Sequence, residues 1–173
     1  GYVAGGHFSS SSIDLGNGLS LSNIGDRDGM IIKYSSAGEV EWAKGIGGSK
    51  SDYIESVAKT SDGGIIAGGE FSSSSSIDLG NGVSLSNKGS DDGMIIKYSA
   101  EGDCEWAQGI GGSDDDRINS VAETSDGGYV AGGYFESKTI DLGNGVSLTN
   151  KGNYDGMIIK YNSSGECEWA KVI

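Results

Sequence analysis

The chain consists of three near-copies of one unit, and this repeat restricts the fold more than any single residue does. The heptapeptide DGMIIKY occurs at residues 28–34, 92–98 and 155–161, so its copies are 64 and 63 residues apart. A fixed period of this size is typical of propellers, solenoids and repeat arrays, in which each unit buries its apolar face against its neighbours. We therefore expect three structural units, at residues 1–63, 64–127 and 128–173.

Each unit contains short apolar or alternating segments separated by glycine turns, a pattern that predicts β-strands, named a to d here. The second copy has all four, expected at residues 53–60, 65–71, 93–99 and 104–110. The Asp-Gly-Gly sequence between strands a and b tolerates the positive φ of a tight hairpin. No segment has a sustained 3.6-residue apolar period, so almost no helix is expected.

An insertion of about 20 residues separates strands b and c, at residues 72–92 of the second copy. Alternating apolar residues flank its Gly80-Asn81-Gly82 sequence, which predicts a small extra hairpin. Asp78 and Asn81 are interpreted as turn-forming residues rather than as ligands, because Asp and Asn readily form local turns.

Side-chain size predicts how the strands are arranged. The run at residues 94–96 (MII) is continuously apolar, as in a strand that is covered on both faces. Strands a and b carry small residues such as Ala67 and Gly68, whereas strand d carries Trp106. A radial arrangement needs small side chains near its axis and large ones at its rim. The predicted fold is therefore an all-β propeller of three four-stranded antiparallel blades. The first blade lacks its inner strand a, and the first two units each supply the inner strand of the next blade.

Four motifs of the unit carry a family resemblance. SVAxTSDGG, IIAGGxF, DGMIIKYxxxG and EWAxxIGG follow one another in this order, and the chain resembles the SBBP-type bacterial β-propeller repeat over its whole length. The resemblance implies a propeller fold in a secreted or surface-attached bacterial protein, and hence an extracellular or cell-surface location. It implies no catalytic residues.

Three blades are fewer than the roughly four to eight from which propellers are typically built. An open stack would expose apolar sheet faces and unpaired strand edges at both ends. The chain is therefore expected to be a piece of a longer array, with further blades of the same protein as partners. The alternative is self-association into a closed ring, for example a dimer of three-blade halves.

The charge of the chain restricts its partners. The net charge is −13, which argues against nucleic acid and anionic membranes, because phosphate binding needs a basic surface. No run of 18 apolar residues is present, so no membrane-spanning helix is expected. Cys104 and Cys167 occupy the same repeat position, which Val40 fills in the first copy. They lie a full repeat apart, so they are expected to be buried free thiols rather than a disulfide.

Because the units are so similar, the positions at which they differ are the candidates for ligand binding. Several sets of equivalent positions vary in chemical character. Glu55 differs from Asn119, and residues 50–52 differ from residues 114–116. The candidates for ligand binding come from three other sets, namely His7, Glu70 and Tyr134, then Arg27, Asp91 and Tyr154, and finally Tyr53 and Arg117. Alternating strand direction predicts that all of them lie on the face that carries the b–c insertions. Aromatic and polar side chains of this kind suit a glycan or a protein ligand. The alternative is that these are exposed positions that vary without purpose.

Metal binding and catalysis find little support in the residues. A calcium loop needs about six or more oxygen ligands at defined offsets, and only Asp28, Asp92 and Asp155 recur before strand c. They are interpreted as turn-forming residues. The single histidine has no triad pattern around it, and no zinc-ligand spacing is present.

We therefore expect no metal, no cofactor and no catalytic residues. The expected function is that of a non-catalytic scaffold or binding module with its ligand contacts on the insertion face. The alternative is part of a propeller hydrolase or lyase with its site on the ring axis.

Overall fold

The chain is built from β-strands joined by turns. The structure, a computed structural model, describes residues 1–72 and 76–173; residues 73–75, which belong to the predicted b–c insertion, lie outside the described residues. The described part contains 17 strands and no helix, which confirms the all-β prediction. The strands are β1 (Tyr2–Phe8), β2 (Ser12–Gly16), β3 (Leu19–Ser22), β4 (Asp28–Tyr34), β5 (Val40–Ile46), β6 (Asp52–Lys59), β7 (Ile65–Phe71), β8 (Ile77–Gly80), β9 (Val83–Leu85), β10 (Asp92–Tyr98), β11 (Cys104–Ile110), β12 (Asp116–Glu123), β13 (Tyr129–Phe135), β14 (Thr139–Asp141), β15 (Ser147–Thr149), β16 (Asp155–Tyr161) and β17 (Cys167–Val172).

Three antiparallel sheets form the blades. Blade 1 has the strand order β1-β4-β5, blade 2 has β6-β7-β10-β11, and blade 3 has β12-β13-β16-β17. Blades 2 and 3 therefore have the predicted a-b-c-d order, and among the described residues blade 1 has only b, c and d. Strands b and d of blade 2 have the predicted bounds, whereas a and c each begin and end one residue earlier.

The turns at the a–b and c–d connections follow from their glycines. Gly63 has a φ of 84° and Gly102 a φ of 91°, values that favour glycine because a Cβ would be strained there. Asp62 Oδ1 accepts a hydrogen bond of 2.9 Å from the Gly64 amide and so closes the a–b turn locally.

The hydrophobic core lies between consecutive blades. Met94 and Ile96 of β10 belong to a cluster shared with blade 1, whereas Ile95 belongs to a cluster shared with blade 3. The central strand is therefore covered on both faces, as its continuous apolar sequence predicts. The inner strand β6 packs against β1 on one side and β12 on the other. Face-to-face packing of four-stranded sheets through their inner strands is the arrangement of blades in a β-propeller.

The b–c insertions form the predicted hairpins, β2–β3, β8–β9 and β14–β15. Asn17, Asn81 and Asn144 all have a φ of 53° or 54° at their tips, and Asp78 accepts a hydrogen bond from the Gly80 amide at 2.9 Å. The turn-forming interpretation of Asp78 and Asn81 is thus confirmed. Each hairpin packs against the outer strand of its own blade, so the hairpins lie along the rim.

Both cysteines are free and buried, as expected. Burial raises the pKa of the Cys104 thiol to about 11, so the reactive thiolate form is scarce at neutral pH. The two residues serve as small apolar side chains on the outer strands.

Candidate binding surface

The structure gathers the eight variable residues into one continuous row, which we call the variable row. Each position is fixed by a strand end, because His7, Glu70 and Tyr134 lie one residue before the end of strand b. Strand c begins one residue after Arg27, Asp91 and Tyr154, and Tyr53 and Arg117 are second in strand a. Strands b, c and a meet at the same end of adjacent blades. The variable row comprises His7, Arg27, Tyr53, Glu70, Asp91, Arg117, Tyr134 and Tyr154.

Between blades 1 and 2 the row is centred on Tyr53. Arg27 Nη1 donates a hydrogen bond of 2.8 Å to the Tyr53 hydroxyl. The His7 ring meets the Tyr53 ring edge-on, with centroids 4.8 Å apart and an interplanar angle of 75°. Such edge-to-face pairs are favourable because the positive rim of one ring faces the negative face of the other. Two residues of blade 1 thus hold the half-buried Tyr53 side chain of the blade 2 inner strand.

Between blades 2 and 3 the row is centred on Arg117. Its guanidinium forms an ion pair with Glu70 through Nε, and Nη2 lies 3.7 Å from Asp91 Oδ2. The guanidinium carbon also lies 5.9 Å from the centroid of the Tyr134 ring, within reach of a cation–π interaction. Arg117 therefore occupies in this interface the place that Tyr53 occupies in the preceding one.

The row is continuous because neighbouring pairs are also matched within each sheet. Tyr53 lies directly opposite Glu70 in the β6–β7 register, and Arg117 lies opposite Tyr134 in the β12–β13 register. Directly opposite residues on adjacent antiparallel strands have neighbouring side chains. The two inter-blade clusters therefore join into a single surface strip.

At the blade 3 end the row finishes in two tyrosines. The rings of Tyr134 and Tyr154 are 5.9 Å apart at an interplanar angle of 63°, and 67% of Tyr154 is exposed. With Glu136 they line an open cleft of about 290 Å³. A wider cleft of about 450 Å³, lined by residues that include Gly47 and Asp78, lies at the rim and contains none of the row residues.

The residues of the variable row differ in how far their side chains are exposed to solvent. Glu70 is buried, with 3% of its surface exposed, so this candidate is not placed to contact a ligand; its carboxylate is enclosed because β7 is covered on both faces. Arg117 and Asp91 are half-buried around it. The remaining five residues present exposed or half-buried side chains, and these are His7, Arg27, Tyr53, Tyr134 and Tyr154.

The aspartates that begin strand c shape the turn before it. Asp28, Asp92 and Asp155 each accept a hydrogen bond from the amide four residues earlier, at 2.9, 2.7 and 2.7 Å. This geometry confirms their turn-forming interpretation. In the part of the chain that the structure describes, no three His, Cys, Asp or Glu side chains are grouped as metal ligands would be.

The Glu70 carboxyl predicts a pH dependence of stability. Burial raises its pKa from 4.5 to about 7, against the opposing effect of Arg117 and with a smaller upward effect of Asp91. Between pH 4.5 and 7 the folded chain therefore binds more protons than the unfolded chain, so the free energy of unfolding falls as pH rises. Urea titrations from pH 5 to 8 are expected to show this fall.

The matched variant for that measurement is Glu70→Gln, which cannot titrate. Burial also raises the pKa of Asp92, to about 6, so the variant is expected to flatten the pH profile without abolishing its slope. A Glu70→Gln profile parallel to that of the unmodified chain would contradict the assignment.

Comparison with known proteins agrees with the propeller architecture. No protein-family model matches the chain. It is 28% identical over 142 residues to the regulatory protein FlaEY of Caulobacter vibrioides, a match that covers 82% of this chain and 15% of that protein. It is 27% identical over 152 residues to an uncharacterized WD repeat-containing protein of Acanthamoeba polyphaga mimivirus, covering 83% of this chain and 11% of that protein.

These relatives support the fold rather than a particular activity. WD repeats are four-stranded propeller blades, so the second match supports the same architecture that the sheets show. The chain spans well under a fifth of either relative. The part of the chain that is described has no helix long and apolar enough to cross a membrane.

Proposed function

We propose that the chain is a non-catalytic β-propeller module that acts as a scaffold and binds a ligand along the variable row. One observation carries this proposal. The blades are nearly identical, yet eight of the residues at which their chemistry differs form one contiguous strip. Loops and strand ends on a rigid scaffold are where binding residues usually lie.

The exposed chemistry of the strip favours a glycan or a polypeptide ligand. Tyr53, Tyr134 and Tyr154 offer aromatic faces with a hydroxyl at the tip, and Arg27 offers a planar guanidinium that is exposed. Tyrosine and arginine are enriched at binding interfaces because they combine apolar area with hydrogen bonding. The rim-packed hairpins leave this strip uncovered.

Two further features support a binding role over catalysis. One relative is named as a regulatory protein and the other as a WD repeat-containing protein. Within the row, the Tyr53 hydroxyl is held by a hydrogen bond from Arg27, and the His7 ring meets the Tyr53 ring edge-on. Secretion or display on a bacterial surface is part of the proposal, and it is supported by the resemblance of the repeat motifs to SBBP-type repeats.

The proposal is tested by screening the chain on a glycan array and against bacterial surface proteins, and then comparing variants. Arg27→Ala and Tyr154→Ala remove exposed row side chains and are expected to weaken binding at least roughly tenfold, as interface anchors do. Glu101→Ala, on an exposed turn at the other end of the blades, is the matched control. Binding that Glu101→Ala weakens as much as the row variants would place the ligand elsewhere. An empty outcome on both screens would count against a binding module.

A further inference from the structure

Blades in this chain hold one another through a glycine on strand b. A Cβ on Gly5 of blade 1 would lie 2.6 Å from Val57 Cγ1 and 2.9 Å from Ile54 Cγ2 of blade 2. At the next interface, a Cβ on Gly68 would lie 2.6 Å from Val121 Cγ1 and 2.7 Å from Ile118 Cγ2. Both glycines are thus required by an Ile-x-x-Val pair on the inner strand of the following blade, because real Cβ contacts of this length do not occur.

The same two interfaces share a second contact at the rim. Trp42 of blade 1 lies against Gly102 in the c–d turn of blade 2, and its Nε1 donates a hydrogen bond of 3.0 Å to the Ala100 carbonyl. Trp106 of blade 2 repeats this arrangement on blade 3, with a hydrogen bond of 3.1 Å to the Ser163 carbonyl. At both interfaces the preceding blade therefore contributes an indole and a strand b glycine, and the following blade contributes a c–d turn and an Ile-x-x-Val pair.

Blade 3 carries both features on the face directed away from blade 2. Its strand b glycine is Gly132, where an added Cβ would meet a single described atom within 4 Å, the Met157 carbonyl oxygen at 4.0 Å. Its strand d indole is Trp169, which is 43% exposed. At Gly132 lies an apolar hollow of about 230 Å³ whose lining also includes Val130, Met157 and Ile173. We call this surface the docking face.

We propose that the docking face binds a further complete blade of this same repeat. Its inner strand would place an Ile-x-x-Val pair over Gly132, and the glycine of its c–d turn would lie under Trp169. The two internal interfaces supply the evidence, since every element they use is present on the docking face. Glycine there would otherwise weaken a strand interior without compensation.

A second copy of the chain fits this face less well than a complete blade does. Blade 1 would offer Gly38, which has a φ of 83° and no described atom within 4 Å of the place a Cβ would take, and so could receive Trp169. Among the described residues, however, blade 1 has no inner strand and hence no Ile-x-x-Val pair. A second copy would therefore give Trp169 a glycine to pack against but would leave Gly132 without a contact. The occupant is therefore a blade that includes strand a.

The docking face also extends the variable row. Tyr134 and Tyr154 occupy the positions of His7 and Arg27, which together hold Tyr53 of the next inner strand. An incoming blade would bring its second inner-strand residue against this tyrosine pair. The inference does not depend on the proposed ligand, because it is argued from blade packing alone.

The test uses an extended chain in which a copy of residues 47–110 follows Ile173, the equivalent of Ile110. This copy contains strands a to d of blade 2, including Ile54, Val57 and Gly102. Because nearest-neighbour interfaces stabilise repeat proteins, the extended chain is expected to melt several degrees higher. The Trp169 indole N–H, assigned by Trp169→Phe, is expected to exchange with solvent more slowly by NMR.

Gly132→Val is the decisive variant. It is expected to leave the Tm of the original chain unchanged, since the site is open, and to abolish both gains in the extended chain. Gly68→Val is the matched control and is expected to destabilise the original chain itself. If the extended chain gains neither Tm nor indole protection, the proposal is overturned. Dimerisation of the original chain that Gly132→Val abolishes, measured by sedimentation, would overturn the commitment to a complete blade.

Discussion

Gly69→Ala is expected to lower the Tm of the chain strongly, whereas Gly6→Ala, at the equivalent position of blade 1, is expected to have little effect. A Cβ on Gly69 would lie 1.9 Å from the Tyr53 carbonyl oxygen, and one on Gly133 would lie 1.8 Å from the Arg117 carbonyl oxygen. On Gly6, the nearest atom is Met30 Cε at 3.5 Å, an ordinary contact. The added methyl group would thus clash with a backbone carbonyl in blades 2 and 3, whereas in blade 1 it would contact only the flexible end of a methionine side chain.

The cause is a bulge in the inner strands. The β6–β7 register shifts between Ile54 and Ser56, and the β12–β13 register shifts between Ile118 and Ser120. An extra residue in one strand bends that strand and re-aims its neighbours. The Tyr53 and Arg117 carbonyls that face Gly69 and Gly133 lie one residue before these bulges.

The size of the effect follows from overpacking. Forcing one extra methyl into a filled site costs about 1–3 kcal/mol, or more where backbone must move. For a chain of this length each kcal/mol corresponds to roughly 2–4 °C in Tm. Gly6→Ala is expected to stay within about 0.5 kcal/mol of the unmodified chain, as surface substitutions do. Thermal unfolding followed by circular dichroism measures both variants, and equal losses at Gly6 and Gly69 would show that the inner strand is not responsible.

Much of the fold could be predicted from sequence because it depends on local rules repeated three times. Glycines with positive φ determine the turns, and Gly63 and Gly102 can be recognised from Asp-Gly and from the loop pattern alone. The apolar run at residues 94–96 indicates a strand covered on both faces, as β10 is. Repetition strengthened each prediction, since every signal occurs in more than one unit.

The partners within the variable row could not be predicted, because they depend on how one blade sits on the next. Sequence comparison identifies Glu70 and Arg117 as variable, yet it does not show that they meet across an interface. It also gives no sign that Lys97 would be buried, with an ammonium held by Asp62 and Glu105 at 2.9 Å each. In a strand pattern a lysine normally indicates a solvated position.

Two kinds of contact therefore hold neighbouring blades together. Invariant glycines, tryptophans and the Ile-x-x-Val pair form an interface that any blade of this repeat could make with a following blade that has its inner strand. The variable row adds contacts that differ between interfaces, Arg27 and His7 with Tyr53 in one and Glu70 and Asp91 with Arg117 in the other. Different polar pairs at otherwise equal interfaces favour the native order of blades, since a mismatched blade would leave a buried charge unpaired.

Arg117→Ala is expected to be the most damaging substitution in the row. It leaves the Glu70 carboxylate buried beside Asp91 without its cation, and removing one partner of a buried ion pair typically costs about 3–5 kcal/mol. Because Glu70 already has a raised pKa of about 7, it can take up a proton instead. The loss is therefore expected to be larger at pH 8 than at pH 5, as measured by urea unfolding at both values.

Two double variants test whether the loss of stability comes from the unpaired charge or from lost side-chain packing. Glu70→Gln combined with Arg117→Ala removes the unpaired charge and is expected to recover most of the loss at pH 8. Glu70→His with Arg117→Tyr introduces the His7–Tyr53 pair of the first interface, which meets edge-on at 4.8 Å, and is expected to be more stable than Arg117→Tyr alone. Arg27→Ala is the control, because that exposed side chain makes one hydrogen bond across its interface. If Arg117→Ala proved as mild as Arg27→Ala at both pH values, Glu70 would not depend on Arg117, and the variable row would not distinguish one interface from the next.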